Sequence, residues 1–433
     1  MSCFAPMSIR PQFPALSRQI NGHPALFFDA PGGTQVPQVV IDAMAHYLVH
    51  TNANDHGAFL TSQATDAVID AAHSAIADLL GCDPDEVIFG QNMTSLTFAV
   101  SRAIARDLGP GDEVLVTRLD HDANVAPWYA LEERGVTVRA VDVDVEDCTL
   151  DMEDFAAKIT PRTRVVAVGY ASNAVGTIND IQRMIDMARS VGALTFVDAV
   201  HYAPHGPIDV RALNCDFLAC SAYKFFAPHV GCLYGKREHW ERLRPYKVRP
   251  AAESGPGRWE TGTQNHEGLA GTTAAVDYLA GLAHLGTQSA LSVGSQGTNG
   301  VAPPNGAGRR AALVTAMNSI KAYERDLSER LIAGILEIPG LTFYGIRELE
   351  RFDQRTPTVS FQLAGHAPRA IADYLGQRGI FAWDGHFYAI GLSERLGVAD
   401  KGGLVRVGLA HYNTLEEIDR FLEVLEDLAW GRE

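Results

Sequence analysis

The stretch LTFVDAVHYAPHGPIDVRALNCDFLACSAYK, residues 194–224, decides the fold class. It contains two short apolar runs, LTFV and DFLAC, which are typical of buried strands. Strands that alternate with helical segments in this way predict a mainly parallel sheet. The first run ends at Asp198 and the loop after the second carries Lys224, so we expect both side chains at the same edge of that sheet.

Five further runs of the same kind occur along the chain: DEVIFG, DEVLVTRLD, VTVRAVDVD, TRVVAVGYAS and GCLYGK. Together with the two runs above they predict an α/β large domain built on a mainly parallel, seven-stranded sheet with helices on both faces. In such sheets the ligand lies outside the carboxyl ends of the strands, so functional residues are expected in the loops that follow each run.

The length of 433 residues predicts more than one core. We expect an N-terminal segment (residues 1–35) that packs on the small domain, a large α/β domain (36–285), a flexible loop rich in Gly, Ser, Asn and Pro (286–309), and a small α+β domain (310–433). In the last of these, helical patterns at 311–336 and 367–377 alternate with the runs TPTVSFQLAG, IFAWDGHFYAI and LVRVGLAHYN. Thr414 and Glu417 form a predicted capping box for the final helix.

Composition narrows the class of protein. Hydrophobic residues make up 46% and charged residues 20%, and no apolar run is long enough to span a bilayer. The N-terminus has prolines and arginines where a secretory signal needs an apolar segment, so we expect a cytoplasmic protein with no membrane partner. The net charge of -16 disfavours nucleic acid. The six cysteines form no CxxC pair, so neither a metal site nor disulfides are expected.

Asp198 and Lys224 have a joint chemical use as well as ordinary ones. Pyridoxal phosphate needs a lysine amine for its Schiff base and a carboxylate that keeps its pyridine nitrogen protonated. An isolated aspartate at the end of a strand is often only a helix cap or turn former, and the two residues could equally form a salt bridge. These residues alone leave those alternatives open.

The stretch VIFGQNMTSLTFAV supplies a strand, a small polar loop and a helix in that order. The helix N-terminus, near Met93 and Thr94, is suited to bind a phosphate through backbone N–H groups and hydroxyls. Hydroxyl residues at such a turn are also common helix caps, so capping alone remains an alternative.

A series of segments resembles, in chain order, the motifs of one known family. FFDAPGGTQVPQVV and NANDHGAFLTSQAT resemble its N-terminal segments, NMTSLT its GTTE-type phosphate loop, and DHDANVAPW its EHHANIVPW motif. SNAVGT is similar to SNVLGT, DAVH to DGAQ, CSAYKFFAP to FSGHKLYGP, RWETGTQN to RFEAGTPN, and LVRVGLAHYNTLEEIDRF to the C-terminal segment. Over most of its length the chain therefore resembles the class V aminotransferase group of fold-type-I pyridoxal phosphate enzymes, and within it cysteine desulfurases and selenocysteine lyases.

The resemblance implies pyridoxal 5'-phosphate as the cofactor, Lys224 as its Schiff-base lysine and later the base at the substrate's α-carbon, and Asp198 at the pyridine nitrogen. It implies that His121 stacks on the cofactor ring and that Arg406 binds the carboxylate of a small amino-acid substrate. The other site residues it implies are Asn173 at the phenolic oxygen and near the substrate, His201 in place of a glutamine, Met93, Thr94, Ser221 and Tyr223 at the phosphate, Thr263 reaching the phosphate in the neighbouring subunit of a homodimer, and Tyr388 at the substrate.

The chain departs from the family at one motif. Desulfurases that pass sulfur through a persulfide carry a cysteine in a segment like RTGHHCA, whereas this chain has WDGHFYA, with Tyr388 at the cysteine position and Trp383 at the arginine position. Tyr388 is expected to act either as an acid or as a lid residue that excludes water. Loss of the arginine charge suggests a substrate side chain that is less acidic or more apolar than the family's usual one.

We therefore expect a pyridoxal phosphate enzyme that acts through an external aldimine and a quinonoid, as a desulfurase-like lyase of C–S or C–Se bonds without a persulfide relay. An aminotransferase or epimerase on the same scaffold is the alternative enzyme. A fold that has lost catalysis and serves as a binding protein is the alternative of another class.

Overall fold

A computed structural model describes residues 4–284 and 307–432. The strands of the large sheet are β1 (Val87–Gly90), β2 (Glu113–Thr117), β3 (Thr137–Val141), β4 (Thr163–Gly169), β5 (Leu194–Asp198), β6 (Phe217–Ser221) and β7 (Gly231–Gly235). Those of the small sheet are β8 (Leu341–Tyr344), β9 (Thr358–Leu363), β10 (Trp383–Gly385) and β11 (Leu404–Gly408).

The helices longer than one turn are α1 (Gln38–His50), α2 (Leu60–Leu80), α3 (Met93–Ile104), α4 (Met152–Lys158), α5 (Ile181–Ser190), α6 (Arg237–Arg242), α7 (His266–Gly281), α8 (Ala307–Leu336), α9 (Pro368–Gln377), α10 (Ile390–Arg395) and α11 (Leu415–Trp430). Single helical turns lie at Pro6–Ile9, Ala126–Tyr129 and Val210–Leu213.

The large sheet has seven strands in the order β1-β7-β6-β5-β4-β2-β3. All of its pairings are parallel except those of β7, which runs antiparallel to both β1 and β6. The prediction of a mainly parallel, seven-stranded sheet is confirmed, and each predicted run contains one of its strands. Strands β2, β6 and β7 are buried along their whole length, which explains why their sequences read as continuous apolar runs.

The small sheet is antiparallel throughout, in the order β8-β9-β11-β10. Helices α9 and α11 belong to the same part of the chain, so the predicted α+β character is confirmed. Thr414 and Glu417 form the expected capping box at the start of α11. Strand β8 was not predicted, because its half-exposed residues LTFY show neither a long apolar run nor a clear alternation.

The N-terminal segment contacts both parts of the chain. Leu26–Phe27 forms a short parallel ladder with Ile380–Phe381, and Arg10 pairs with Glu417 of α11 at 2.7 Å. Phe13 packs its ring against Phe226 of the large domain. Residues 29–34 form the loop that follows this segment. The contacts of the segment with both parts of the chain hold this loop next to the edge of the large sheet.

The predicted loop 286–309 lies outside the described residues as far as residue 306. Its last three residues, 307–309, are the first residues of α8, so that helix begins earlier than the periodicity indicated. Arg309 explains this start, because it pairs with Asp78 of α2 and Asp277 of α7 and anchors the first turn. Across the described residues, no helix combines the length and the apolar character needed to cross a membrane.

Candidate active site

A cavity lies at the carboxyl edge of the large sheet. Gly169, Asp198 and Ser221, the last residues of β4, β5 and β6, line it together with Lys224. This is the edge at which the strand pattern predicted functional residues, and parallel neighbours explain why their terminal side chains meet there.

Lys224 lies in a helical turn that directly follows β6, and it is buried. Its Nζ donates a hydrogen bond to the carbonyl of Pro31, and it lies over the ring of Tyr223. Burial and, to a smaller extent, the charge of Arg406 lower the pKa of Lys224 to about 7, while Asp198 opposes the shift. An amine with this pKa is largely neutral slightly above pH 7, which an exposed lysine is not.

Asp198 is the buried last residue of β5. Its Oδ1 accepts a hydrogen bond from the N–H of Val200 at 2.9 Å. Burial raises the pKa of Asp198 to about 6, against the effects of that hydrogen bond and of Lys224. The carboxyl is therefore mainly ionised at neutral pH and faces the same cavity as the amine.

His121 lies in the loop after β2 and also lines the cavity. Its Nδ1 accepts a hydrogen bond from the N–H of Ala123 at 3.0 Å, which fixes the neutral tautomer with the proton on Nε2. Burial lowers the pKa of His121 to about 4, assisted by the positive charges of Lys224 and Arg406. The ring is thus a flat, uncharged wall of the cavity at neutral pH.

Tyr388 stacks on His121, with ring centroids 5.3 Å apart and planes 18° from parallel. Its side chain is 64% exposed and does not line the cavity. Of the two expected roles, an acid at the substrate finds no support in this arrangement. The contact with His121 agrees with a covering role, in which one ring backs another.

Met93 and Thr94, at the N-terminus of α3, line the cavity next to Ser221. The N–H of Met93 donates to Oγ of Ser221 at 3.1 Å. The helix cap itself is Asn92, whose side chain accepts from the N–H of Ser95, so capping does not use Thr94. A helix N-terminus with hydroxyls around it is a site suited to an anion.

Tyr223 and His201 complete the predicted cavity lining. The Tyr223 ring stacks on His229 with centroids 4.9 Å apart. His201 is buried, and its Nε2 lies 3.0 Å from Oγ1 of Thr358 on the small sheet. Burial holds the pKa of His201 well below its usual range, so its ring is neutral. His201 therefore ties the cavity to the small domain through a polar contact.

Arg406 lies on β11 and is buried. Its Nη1 donates to the carbonyl of Asn173 at 2.7 Å, and its guanidinium lies 4.2 Å from the centre of the Phe387 ring. Burial lowers the pKa of Arg406 to about 9, which leaves it charged at neutral pH. Within the described chain, Nε of Arg406 and Oδ1 of Asn173 are buried without a hydrogen-bond partner. Unpaired buried polar atoms of this kind are costly unless a ligand satisfies them.

Thr263 is exposed and lies outside the cavity, in a separate surface groove that His229 also lines. Within one chain, then, it does not join the other predicted residues. The remaining predicted residues that line the cavity are Met93, Thr94, His121, Asn173, Asp198, His201, Ser221, Tyr223 and Lys224. Arg406 contacts this set through Asn173.

Sequence reasoning missed Asp120 and Phe387. Asp120 lines the cavity, buried, and its carboxylate accepts hydrogen bonds from Thr117 Oγ1, Asn124 Nδ2 and the N–H of Gly169. Its position directly after a strand end was the available signal. Phe387 contacts Arg406, and no pattern in the sequence indicated that contact.

The described residues contain five cysteines, all free and none exposed. None of the five lines the cavity. Burial raises the pKa of each thiol, which keeps it protonated and unreactive at neutral pH. Cys220 and Cys232 face each other across the β6–β7 ladder inside the apolar core.

Comparison with known proteins assigns the chain to a family. The family model described as "Aminotransferase class-V" matches residues 26–290 and 282–421, which is most of the chain. The chain belongs to the class V aminotransferase family. Members of this family are pyridoxal phosphate enzymes, and the cofactor and the enzymatic character of the present protein follow from that membership.

Two relatives of this class V aminotransferase chain carry the name cysteine desulfurase. A "Cysteine desulfurase" of Pectobacterium carotovorum is 31% identical over 96% of this chain and 96% of its own length. A "Probable cysteine desulfurase" of Mycolicibacterium paratuberculosis is also 31% identical over 98% of the chain, but the chain spans only 58% of that relative. The protein is thus a cysteine desulfurase-like member of the family.

Solved structures agree with the assignment. The apo cysteine desulfurase of Thermococcus onnurineus NA1 superimposes with a TM-score of 0.83 and 26% identity, covering 98% of both chains. The cysteine desulfurase CsdA of Escherichia coli gives a TM-score of 0.80 and 26% identity over 99% of both chains. The fold is therefore that of the fold-type-I pyridoxal phosphate enzymes, as predicted.

The residues of the cavity fit pyridoxal phosphate. A neutral buried amine (Lys224), an ionised carboxylate (Asp198) and a flat uncharged ring (His121) share one cavity. The helix N-terminus at Met93 lies on the same wall as Ser221. An amine, an acid, an aromatic face and an anion site are the groups that such a cofactor requires.

Proposed function

We propose that this protein cleaves the bond between the β-carbon and sulfur or selenium of a small amino acid, and that it releases the chalcogen directly instead of loading it on one of its own cysteines. The observation that carries the proposal is the combination of a cavity whose residues fit pyridoxal phosphate with the absence, among the described residues, of any cysteine lining it.

Lys224, Asp198 and His121 are proposed to hold the cofactor, with Met93, Thr94, Ser221 and Tyr223 around its phosphate and Asn173 and His201 at its ring. Pyridoxal phosphate supplies an electron sink for the negative charge that develops at the substrate's α-carbon. Asp198 stabilises a proton on the ring nitrogen because its carboxylate is ionised at neutral pH. The neutral His121 ring offers a flat face without adding a competing charge.

Lys224 is proposed to be both the anchoring amine and the base. Its Nζ can accept a proton near neutral pH because burial and Arg406 have brought its pKa to about 7. When it is not bound to the cofactor, the Nζ amine would remain inside the cavity, where it would be placed to take the α-proton of a bound substrate. The 29–34 loop, which already contacts Nζ through Pro31, limits the access of water to this amine.

Arg406 is proposed to bind the substrate carboxylate, because its planar guanidinium matches a carboxylate geometrically. Two hydrogen-bonding groups lack a partner there: the Nε–H of Arg406, which is a donor, and Oδ1 of Asn173, which is an acceptor. Trp383, at the position of the family's arginine, donates through Nε1 to the carbonyl of Asp29 and is partly exposed. An indole instead of a cation favours a substrate with an uncharged side chain.

A homodimer is proposed, with Thr263 acting at the cofactor phosphate of the neighbouring subunit. Thr263 is exposed in its own chain, and large apolar side chains at the end of α1 and the start of α2 are also exposed: Leu48, Val49, Phe59 and Leu60. Exposed apolar groups of this size favour a protein partner. If Thr263 acts across the interface, mixing Thr263→Ala with Lys224→Ala subunits restores part of the cofactor affinity that each variant lacks alone.

The test is a substrate panel with purified holoenzyme: L-cysteine, L-selenocysteine, cysteine sulfinate, S-substituted cysteines and amino acids without a β-leaving group. We expect pyruvate and ammonia in equal amounts with released sulfide or selenide, because elimination followed by hydrolysis frees the chalcogen without a reductant, and faster turnover of substrates with uncharged side chains. Keto acid formed only with an amino acceptor would instead identify an aminotransferase, and inversion at the α-carbon an epimerase; either result alone would overturn the proposal.

A further inference from the structure

Phe387, Asn173 and Arg406 contact one another pairwise at the proposed carboxylate site. Arg406 Nη1 donates to the carbonyl of Asn173 at 2.7 Å, and Asn173 Nδ2 donates to the carbonyl of Phe387 at 2.8 Å. The ring of Phe387 in turn lies 4.2 Å from the Arg406 guanidinium carbon. Each of the three residues is thus fixed by the other two, although they come from three separate segments of the chain.

The backbone at this point adopts a conformation that bulky residues rarely accept. Phe387 and Tyr388 have φ angles of 54° and 58°, two consecutive non-glycine residues in the left-handed region. Such strain persists only where surrounding contacts over-determine it. The contacts are the Asn173 hydrogen bond, the hydrogen bond from the N–H of Asp122 to the carbonyl of Tyr388, and the stack of Tyr388 on His121.

The strained turn has one consequence for Arg406: an aromatic face covers one side of its guanidinium. The ring holds the guanidinium plane by a cation–π contact and excludes water from that side. Nε stays buried and unpaired in the described chain, and its direction is fixed by the plane. A carboxylate that pairs with Nε must therefore approach from a side that the Phe387 ring leaves open.

We propose that Phe387 is a positioning residue for α-carboxylate recognition: its ring orients the Arg406 guanidinium so that the enzyme accepts amino acids and discriminates against amines that lack the carboxylate. This rests on the proposed carboxylate-binding role of Arg406. Phe387 needs no contact with the substrate for this role, because it acts through Arg406.

The experiment compares two ligands of the holoenzyme by the change in visible absorbance of its bound cofactor. L-alanine carries the α-carboxylate and ethylamine does not, and neither has a β-leaving group. In Phe387→Leu we expect the dissociation constant for L-alanine to rise about five- to tenfold, because the cation–π contact that orients Arg406 is lost. The dissociation constant for ethylamine should stay within about twofold. Phe387→Tyr, which keeps the ring, should bind L-alanine within about twofold of the unmodified enzyme.

Phe343→Leu is the matched control, because Phe343 is another partly buried phenylalanine of the small domain that lies near an arginine, Arg355. Both dissociation constants should be unchanged in it. An equal loss for the two ligands in Phe387→Leu, a loss of L-alanine affinity in Phe343→Leu, or no preference of the unmodified enzyme for L-alanine over ethylamine would each overturn the proposal. Because neither ligand has a leaving group, the result is independent of whether the enzyme cleaves C–S bonds.

Discussion

Two regions at the cavity, called the floor and the mouth, are built from different structural elements and bear on different aspects of function. The floor consists of Asp198, Ser221 and Lys224, which come from neighbouring strand ends of one parallel sheet. The mouth is the segment from Trp383 to Tyr388, on the edge strand β10 of the small sheet and the strained turn after it. This segment does not line the cavity itself but contacts two residues that do, His121 and Asn173. The floor carries an amine, an acid and a hydroxyl that fit pyridoxal phosphate, while the mouth carries aromatic residues, two of them where the sequence resemblance implies an arginine and a cysteine in the family.

This difference separates the residues that serve the cofactor from the residues that act on the substrate. A cofactor with one fixed chemistry demands an amine and an acid at fixed positions, and a rigid, buried sheet edge provides them. The fate of the substrate depends on what surrounds its carboxylate and leaving group. Part of the proposed surroundings, Phe387 and Tyr388, belongs to a turn whose residues can change without disturbing the large sheet.

Replacing the central amine of the floor should have the largest effect. We expect Lys224→Ala to lower turnover by about a thousandfold or more, because both the anchoring amine and the base are lost, and to abolish the visible absorbance band of the bound cofactor. Lys401→Ala, at an exposed lysine far along the chain, serves as the control. A Lys224→Ala enzyme that keeps both its band and its turnover would show that the floor has been misassigned.

A change at Arg406, where floor and mouth meet, should act mainly on substrate binding. Arg406→Lys keeps the charge but loses the planar pair of donors, so we expect KM to rise about ten- to a hundredfold with a smaller change in kcat. Arg395→Lys, at a surface arginine that pairs with Asp142, is the matched control. Steady-state kinetics decide, and an unchanged KM would remove Arg406 from the substrate site.

The pH dependence of cofactor capture tests the electrostatics of the floor. Only the neutral amine attacks a carbonyl, and the pKa of Lys224 is lowered to about 7, so capture by the apoprotein should slow about tenfold per pH unit below 7 and level off above it. Stopped-flow absorbance measures this rate. Pyridoxal without its phosphate should show the same midpoint, which separates the amine from the titrating phosphate; a midpoint near 10 would mean that the amine is not desolvated.

The phenol of Tyr388 should matter least. Its ring stacks on His121 and its side chain is largely exposed, so Tyr388→Phe preserves the contact and is expected to change kcat by less than about twofold. Tyr388→Ala removes the stack and should cost more than Tyr388→Phe. A loss of about a hundredfold in Tyr388→Phe would instead identify the hydroxyl as a general acid.

The floor could be predicted from the sequence, whereas the contacts of the mouth could not. The seven strands of the large sheet and the meeting of Asp198 with Lys224 follow from apolar runs and from the rule that parallel strands end at one edge. The contacts of Phe387 do not, since its hydrogen bond from Asn173 spans 214 positions along the chain and depends on how two domains pack. Strand β8 escaped prediction for a related reason, because its residues are only partly buried by tertiary packing.

The fate of the sulfur in a single turnover tests the central claim most directly. Holoenzyme in excess is mixed with the sulfur-containing substrate that the panel shows to react fastest; free sulfide, organic product and sulfur bound to each cysteine peptide are then quantified together. We expect pyruvate in an amount equal to the released sulfide or thiol from the first turnover, with no peptide carrying added sulfur. Product formed in step with one cysteine peptide that gains sulfur, or no turnover of any sulfur-containing substrate, would contradict direct release.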